Sequence, residues 1–110
     1  MHSGGQAANF MYEHSKKSQD LAARLQRFVD EHIYPNEEAY AHQLKNAENR
    51  FAPLPLMDEL KLKAKEAGLW NLFVPEEHAK YCDHGGLSFF DYAPLAEIMG
   101  RVIWCPEVFN

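Results

Sequence analysis

Two cysteines, Cys82 and Cys105, are the whole thiol content of the 110 residues. One pair cannot build the cross-linked framework of a small secreted scaffold, so the composition points to a reducing compartment. The mitochondrial matrix, the peroxisome and a bacterial cytoplasm all stay open. Positive charge is also scarce. Eleven Lys and Arg face sixteen Asp and Glu, for a formal net charge of −5. That balance disfavours nucleic acid, whose phosphates are held by clustered cations. No apolar run approaches the roughly 20 residues that cross a bilayer. Repeats and low-complexity segments are missing, as is a glycine-flanked serine elbow. Gly85-Gly86 is too short to cradle a phosphate and reads as a turn. Residues 1–14 have neither the apolar core of a signal peptide nor the Arg-rich character of a transit peptide. They are set aside as a leader or cloning remnant, with Met11 a candidate start.

What remains is ordinary globular material, 46% apolar and 25% charged, enough for one domain with a modest core over residues 15–110. A first helix begins after Ser15, whose side chain can cap the free N–H groups, and Asp20 lies near the positive helix end. Leu21, Leu25, Phe28, Val29, His32 and Ile33 share one stripe, away from Arg24, Arg27, Asp30 and Glu31. Pro35 breaks or kinks this helix. Residues 36–46 can continue it with Ala39, Tyr40, Gln43 and Leu44 on one side, and 46–50 form a loop.

A further helix starts at Pro55, buries Met57, Leu60, Ala64 and Ala67, and ends at Gly68 in a glycine C-cap that lets Leu69 fold back. Residues 69–74 read as a short, extended, buried connector; a lone strand is the competing reading, without a visible partner. A polar loop follows to Gly86. Ser88 and Asp91 form an S-x-x-D cap, or Asp91 itself caps, before a last helix that ends near Met99 at Gly100. Its expected buried side is Phe89, Phe90, Ala93, Ala96 and Met99. Apolar stripes of this kind must bury one another, which gives an all-α antiparallel helical bundle.

Residues that could carry chemistry are few. His78, Cys82 and His84 are metal-ligand types lying close in sequence, but the spacing fits no standard site and an exposed loop explains them as well. Cys105 has no activating base nearby. His32 fits a satisfied core histidine. Glu76, Glu77 and Glu97 are carboxylates that helix ends and solvation account for.

The order of two segments adds more. Gly68-Leu69-Trp70-Asn71-Leu72-Phe73-Val74-Pro75-Glu76-Glu77 precedes Gly85-Gly86-Leu87, and then comes Pro94-Leu95-Ala96-Glu97-Ile98-Met99-Gly100-Arg101. Together with Ile33-Tyr34-Pro35 they resemble the N-terminal helical domain of acyl-CoA dehydrogenases over residues 11–110. The resemblance is closest to the long-chain and hydroxyacyl branch that includes members ten and eleven. It implies FAD in the complete enzyme, acyl-CoA as substrate, an electron-transfer flavoprotein as electron acceptor and a homo-oligomer. It also implies that a glutamate base removes the α-proton. That base and most flavin contacts fall outside this stretch, so the chain alone is expected to be an incomplete domain that binds no cofactor and has no catalytic residue. Val108 and Phe109 are the candidates for a wall of the acyl-chain pocket, with core packing as the plainer reading. The seven residues between Glu77 and Gly85 exceed the family's usual one or two. Two other functions stay open: a non-catalytic helical module that docks on partner chains, and a small metal-binding helical protein.

Overall fold

A computed structural model describes residues 14–49, 51–75, 78, 80 and 85–110. The described residues are helical, with no strand among them. The leader segment lies outside them apart from His14, and so do Glu76, Glu77, Cys82 and His84.

Helix α1 spans Lys16–Phe28. Ser15 caps it, the Ser18 N–H donating to the Ser15 hydroxyl at 3.1 Å, and Leu21, Leu25 and Phe28 are buried as the stripe requires. Asp20 is not in the first turn. It pairs instead with Lys16 one turn back, at 3.4 Å and in the open, where such a pair adds little.

Pro35 bends the chain without ending it. Pro35 has no N–H to donate, so the ladder cannot pass it unchanged. The turn before it widens to a π segment, Val29–Ile33, and tightens to a 3-10 turn, Tyr34–Asn36. The Asn36 side-chain amide then donates to the His32 carbonyl at 2.7 Å. Helix α2, Glu37–Lys45, resumes from there. Ala39 and Leu44 are exposed, and only Tyr40 and Gln43 turn inward. A helix with no buried residue is held by particular contacts: Tyr40 stacks on Trp104 with centroids 4.2 Å apart, and the Gln43 side-chain Oε1 accepts the Leu56 N–H at 3.1 Å.

Helix α3, Pro55–Glu66, starts on proline as expected and buries Leu56, Met57, Leu60 and Ala64. Ala67 belongs to the cap and is exposed. Gly68 sits at φ +72°. The Leu69 N–H reaches the Ala64 carbonyl at 2.9 Å, and the Gly68 N–H reaches Lys65 at 3.1 Å, the paired bonds of a Schellman cap. Arg24 of α1 donates to the Ala67 carbonyl beside it. Gly68→Ala is expected to cost about 1 kcal/mol, because an L side chain is strained at this φ. The new Cβ would also meet the flexible Arg24 guanidinium at 2.9 Å. A chemical denaturation midpoint measures this.

The connector after Gly68 is turned, not extended. Asn71 takes a left-handed conformation, φ 58°, and the Val74 N–H closes back on its carbonyl at 3.1 Å. Leu69, Leu72 and Val74 are buried while Phe73 is 54% exposed. A run with five apolar residues in six does not show which of them must leave the core; the turn decides it.

Helix α4, Phe89–Met99, is capped by Ser88, whose hydroxyl accepts the Asp91 N–H at 3.1 Å. Pro94 is accommodated inside the helix. The buried face is Leu95, Ile98 and Met99, with Tyr92 partly covered. Phe89, Phe90, Ala93 and Ala96, expected inside, are exposed. This helix is apolar nearly all round, so its periodicity names no face; docking on α1 chooses one. The two helices lie side by side in the same direction, with Ser15 against Asp91 at one end and Gln26 against Arg101 at the other. A short helix α5, Cys105–Val108, closes on α3 and α4, and Lys61 of α3 pairs with Glu107 at 2.7 Å. Helix α1, the π segment, α3 and α4 bury Leu25, Ile33, Leu60 and Leu95 in one shared core.

Candidate functional site

One small apolar notch lies where three elements meet. Leu72 and Phe73 come from the connector turn, Tyr92 and Met99 from α4, and Pro106, Phe109 and Asn110 from α5 and the residues after it. Its volume is about 130 Å³, close to the ~150 Å³ of dry engineered cavities that admit benzene. Phe109 is 1% exposed and meets the Phe28 ring edge-on at 5.3 Å, an arrangement the ring quadrupoles favour. Its carbonyl accepts the Asn71 N–H at 2.7 Å, which fastens the end of α5 to the connector. Tyr92 brings a hydroxyl to the lining, and burial pushes its phenol above the ordinary value.

Val108 is fully buried but does not line this notch; it packs in the core beside Phe109. The structure therefore separates the two residues that sequence reasoning grouped. It also adds Leu72, Phe73, Tyr92 and Met99. Of these, Met99 was legible as an inward residue of the last helix. Asn71 had a signal too, since asparagine tolerates the left-handed region better than other non-glycine residues.

Among the described residues, no side chain of the lining carries a carboxylate, imidazole or thiol, so these walls can hold an apolar group and exclude water but supply no general base. The nearby Cys105 thiol is fully buried, and burial raises it to about 12. It is expected to resist iodoacetamide in the native protein at pH 8 and to react only on unfolding, since the thiolate is the nucleophile. Peptide mapping after labelling reads this directly.

Glu97 is exposed and grips Arg101 through two hydrogen bonds, at 3.2 and 2.7 Å. The Arg101 bonds hold its carboxyl below the usual range, and the same bonds, with Tyr34, raise Arg101. Glu97 is thus a solvent-exposed carboxylate whose basicity Arg101 lowers, unlike the dry carboxylate of raised basicity that suits a general base. His32 is partly buried against Phe28, centroids 4.7 Å apart. His78 is exposed; its two supposed co-ligands lie outside the described residues, and among the described residues no three acidic, histidine or cysteine side chains gather. No helix among the described residues is long and apolar enough to cross a membrane.

At the opposite end of α4, Asp91 joins two helix starts. Its carboxylate accepts the Ser15 N–H at 3.0 Å, and its carbonyl accepts the Ser18 hydroxyl at 2.6 Å. Ser18 is completely buried and satisfied by that bond. Lys17 donates to the Gly86 carbonyl at 2.5 Å. These bonds are structural in kind and tie α1 to the start of α4, while the buried His14 Nδ1, 3.8 Å from the Asp91 carboxylate, makes no hydrogen bond among the described residues.

No family model matches the chain. Over 103 residues it is 36% identical to acyl-CoA dehydrogenase family member 11 of Gallus gallus, covering 91% of this chain and 12% of that protein. Over 92 residues it is 41% identical to acyl-CoA dehydrogenase family member 10 of Mus musculus, covering 82% of this chain and 8% of the other. A solved structure assigned as an acyl-CoA dehydrogenase from Mycobacterium abscessus superposes with a TM-score of 0.72 at 39% identity, over 90% of this chain and 25% of that one. The chain thus spans about an eighth or less of the length of these two curated relatives.

Proposed function

The chain is an acyl-CoA dehydrogenase homologue over most of its own length, and on that premise we propose that it forms the N-terminal helical part of a FAD-dependent enzyme that desaturates acyl-CoA thioesters between the α and β carbons. The observation that carries this reading is the structural match at 39% identity over 90% of the chain. In the complete enzyme, acyl-CoA is the substrate and an electron-transfer flavoprotein takes the electrons, with the base and most of the flavin site contributed from outside these residues. The notch does not fit a flavin. Cofactor-sized molecules need clefts of roughly 300–1,000 Å³, and about 130 Å³ of mainly apolar wall is offered here. Its role is to shelter the far end of an aliphatic chain, each methylene buried being worth about 0.8 kcal/mol. Phe109 is the wall residue; Val108 is buried in the same core.

Two measurements test this. Titration with 1-hexanol is expected to give saturable NMR shifts at Tyr92, Met99 and Phe109; unchanged resonances up to the solubility limit would remove the notch from the reading. The 110 residues mixed with an acyl-CoA, FAD and an artificial electron acceptor are expected to show no turnover, and turnover would place a base within this chain.

A second reading, a helical module that docks on partner chains, is favoured by one observation. Phe89, Ile103 and Phe51 are all more than 90% exposed, and exposed apolar surface often marks an interface. Light scattering across a concentration series distinguishes the two: a monomer at every concentration counts against a self-associating module.

A further inference from the structure

We infer that Asn71 is the positioning residue of the notch, and that it works through its left-handed backbone. The inference rests on the notch reading above but is tested separately from it. Three observations converge on this residue. It is the one non-glycine residue with positive φ among those described, at 58°. Its N–H holds the Phe109 carbonyl at 2.7 Å, and its C=O receives the Val74 N–H at 3.1 Å. The two residues that follow then part company: Leu72 is 1% exposed and Phe73 54%, and both line the notch.

The geometry explains the division. A residue in the β or right-handed region would continue the chain past α5 with a different pleat. The N–H at position 71 would then leave the Phe109 carbonyl, and Leu72 would leave the inner wall. Left-handed backbone turns the chain so that one bond pins the end of α5 and the next side chain enters the core. Glycine would adopt this conformation without steric cost, and asparagine adopts it more readily than other side chains. Asn71 is therefore a residue that sets where Leu72 and Phe109 stand, although it does not line the notch itself.

The test replaces Asn71 in the 110-residue chain and reads amide hydrogen exchange at position 71 against the Leu69 amide. Leu69 donates to Ala64 within the cap of α3, so it reports general loosening while position 71 reports the link to Phe109. Asn71→Ala and Asn71→Val are expected to lower protection at position 71 about tenfold or more relative to Leu69, since ordinary side chains resist this conformation. Asn71→Gly is expected to keep it within about twofold and to restore hexanol affinity that the alanine variant loses. If valine prevents folding, the alanine variant still decides. Protection retained in Asn71→Ala would overturn the inference. So would its loss in Asn71→Gly, which would assign the role to the asparagine amide. If 1-hexanol fails to bind even the unaltered chain, the notch reading falls while the exchange ratio still judges Asn71.

Discussion

Phe109→Ala is expected to lower stability by about 3–5 kcal/mol, the usual cost of removing a buried phenyl ring. For a domain of this size that is a drop of at least ~10 °C in melting temperature. The side chain is among the largest fully buried in the structure. It meets Phe28 edge-on and forms part of the notch wall, so truncation would enlarge an existing cavity instead of opening a closed one. The cavity cannot easily collapse, because the Phe109 backbone stays pinned by the Asn71 N–H and Phe28 is rooted in α1. Phe109→Leu should cost less than half as much, as it keeps most of the volume. Calorimetry on both variants measures the difference. A Phe109→Ala protein that melts within about 2 °C of the parent would mean that the C-terminal turn is not part of the cooperative core.

Asp91→Ala is expected to cost about 2 kcal/mol at pH 7, from the charge-assisted bond to the Ser15 N–H and the favourable placement of a carboxylate at two helix starts. The Asp91 side chain is 18% exposed, so solvent screens it only in part. The pH dependence follows from the direction of its shift. The Ser15 N–H, as the largest influence, holds the Asp91 carboxyl below its ordinary value, with Ser88 and His14 acting the same way and burial opposing them. A depressed folded-state value means that the unfolded chain binds its proton first as pH falls. The stabilisation is therefore fully present above the unfolded value, near pH 4, and is lost as pH drops from there through the folded value. Melting curves of the parent and of Asp91→Ala should stay well separated from pH 7 to 5 and converge below about pH 4. A separation that persists undiminished at pH 2 would show that Asp91 acts by packing alone.

Much of the local structure was legible in the chain. Ser15, Pro55, Gly68 and Ser88 mark helix ends by chemistry that acts within a few residues, and the structure uses each of them as a start or stop. The stripe from Leu21 to Ile33 was equally plain, since its spacing alternates cleanly with charged residues. The failures have a common cause. Helix α4 is apolar on most sides, and the connector is apolar at every position but Asn71, so neither carries contrast from which a buried face can be read. In both, the inward side depended on partners far along the chain. The site suffered the same way: Val108 and Phe109 are adjacent and both buried, and only the position of Leu72, Tyr92 and Met99 shows which of them faces a cavity.

The sequence by itself determined that this protein is helical, where α1, α3 and α4 begin and where α3 and α4 end, and, through the order of its segments, that it is akin to acyl-CoA dehydrogenases. Those are consequences of short-range capping, steric limits at proline and glycine, and periodicity. The tertiary structure alone decided which way α4 faces, that Asp91 joins two helix starts, and that Asn71 ties the connector to Phe109. These pairings join residues 38 to 76 positions apart, and no local preference encodes them. They arise when the one shared core is closed and each remaining polar group must find a partner within it.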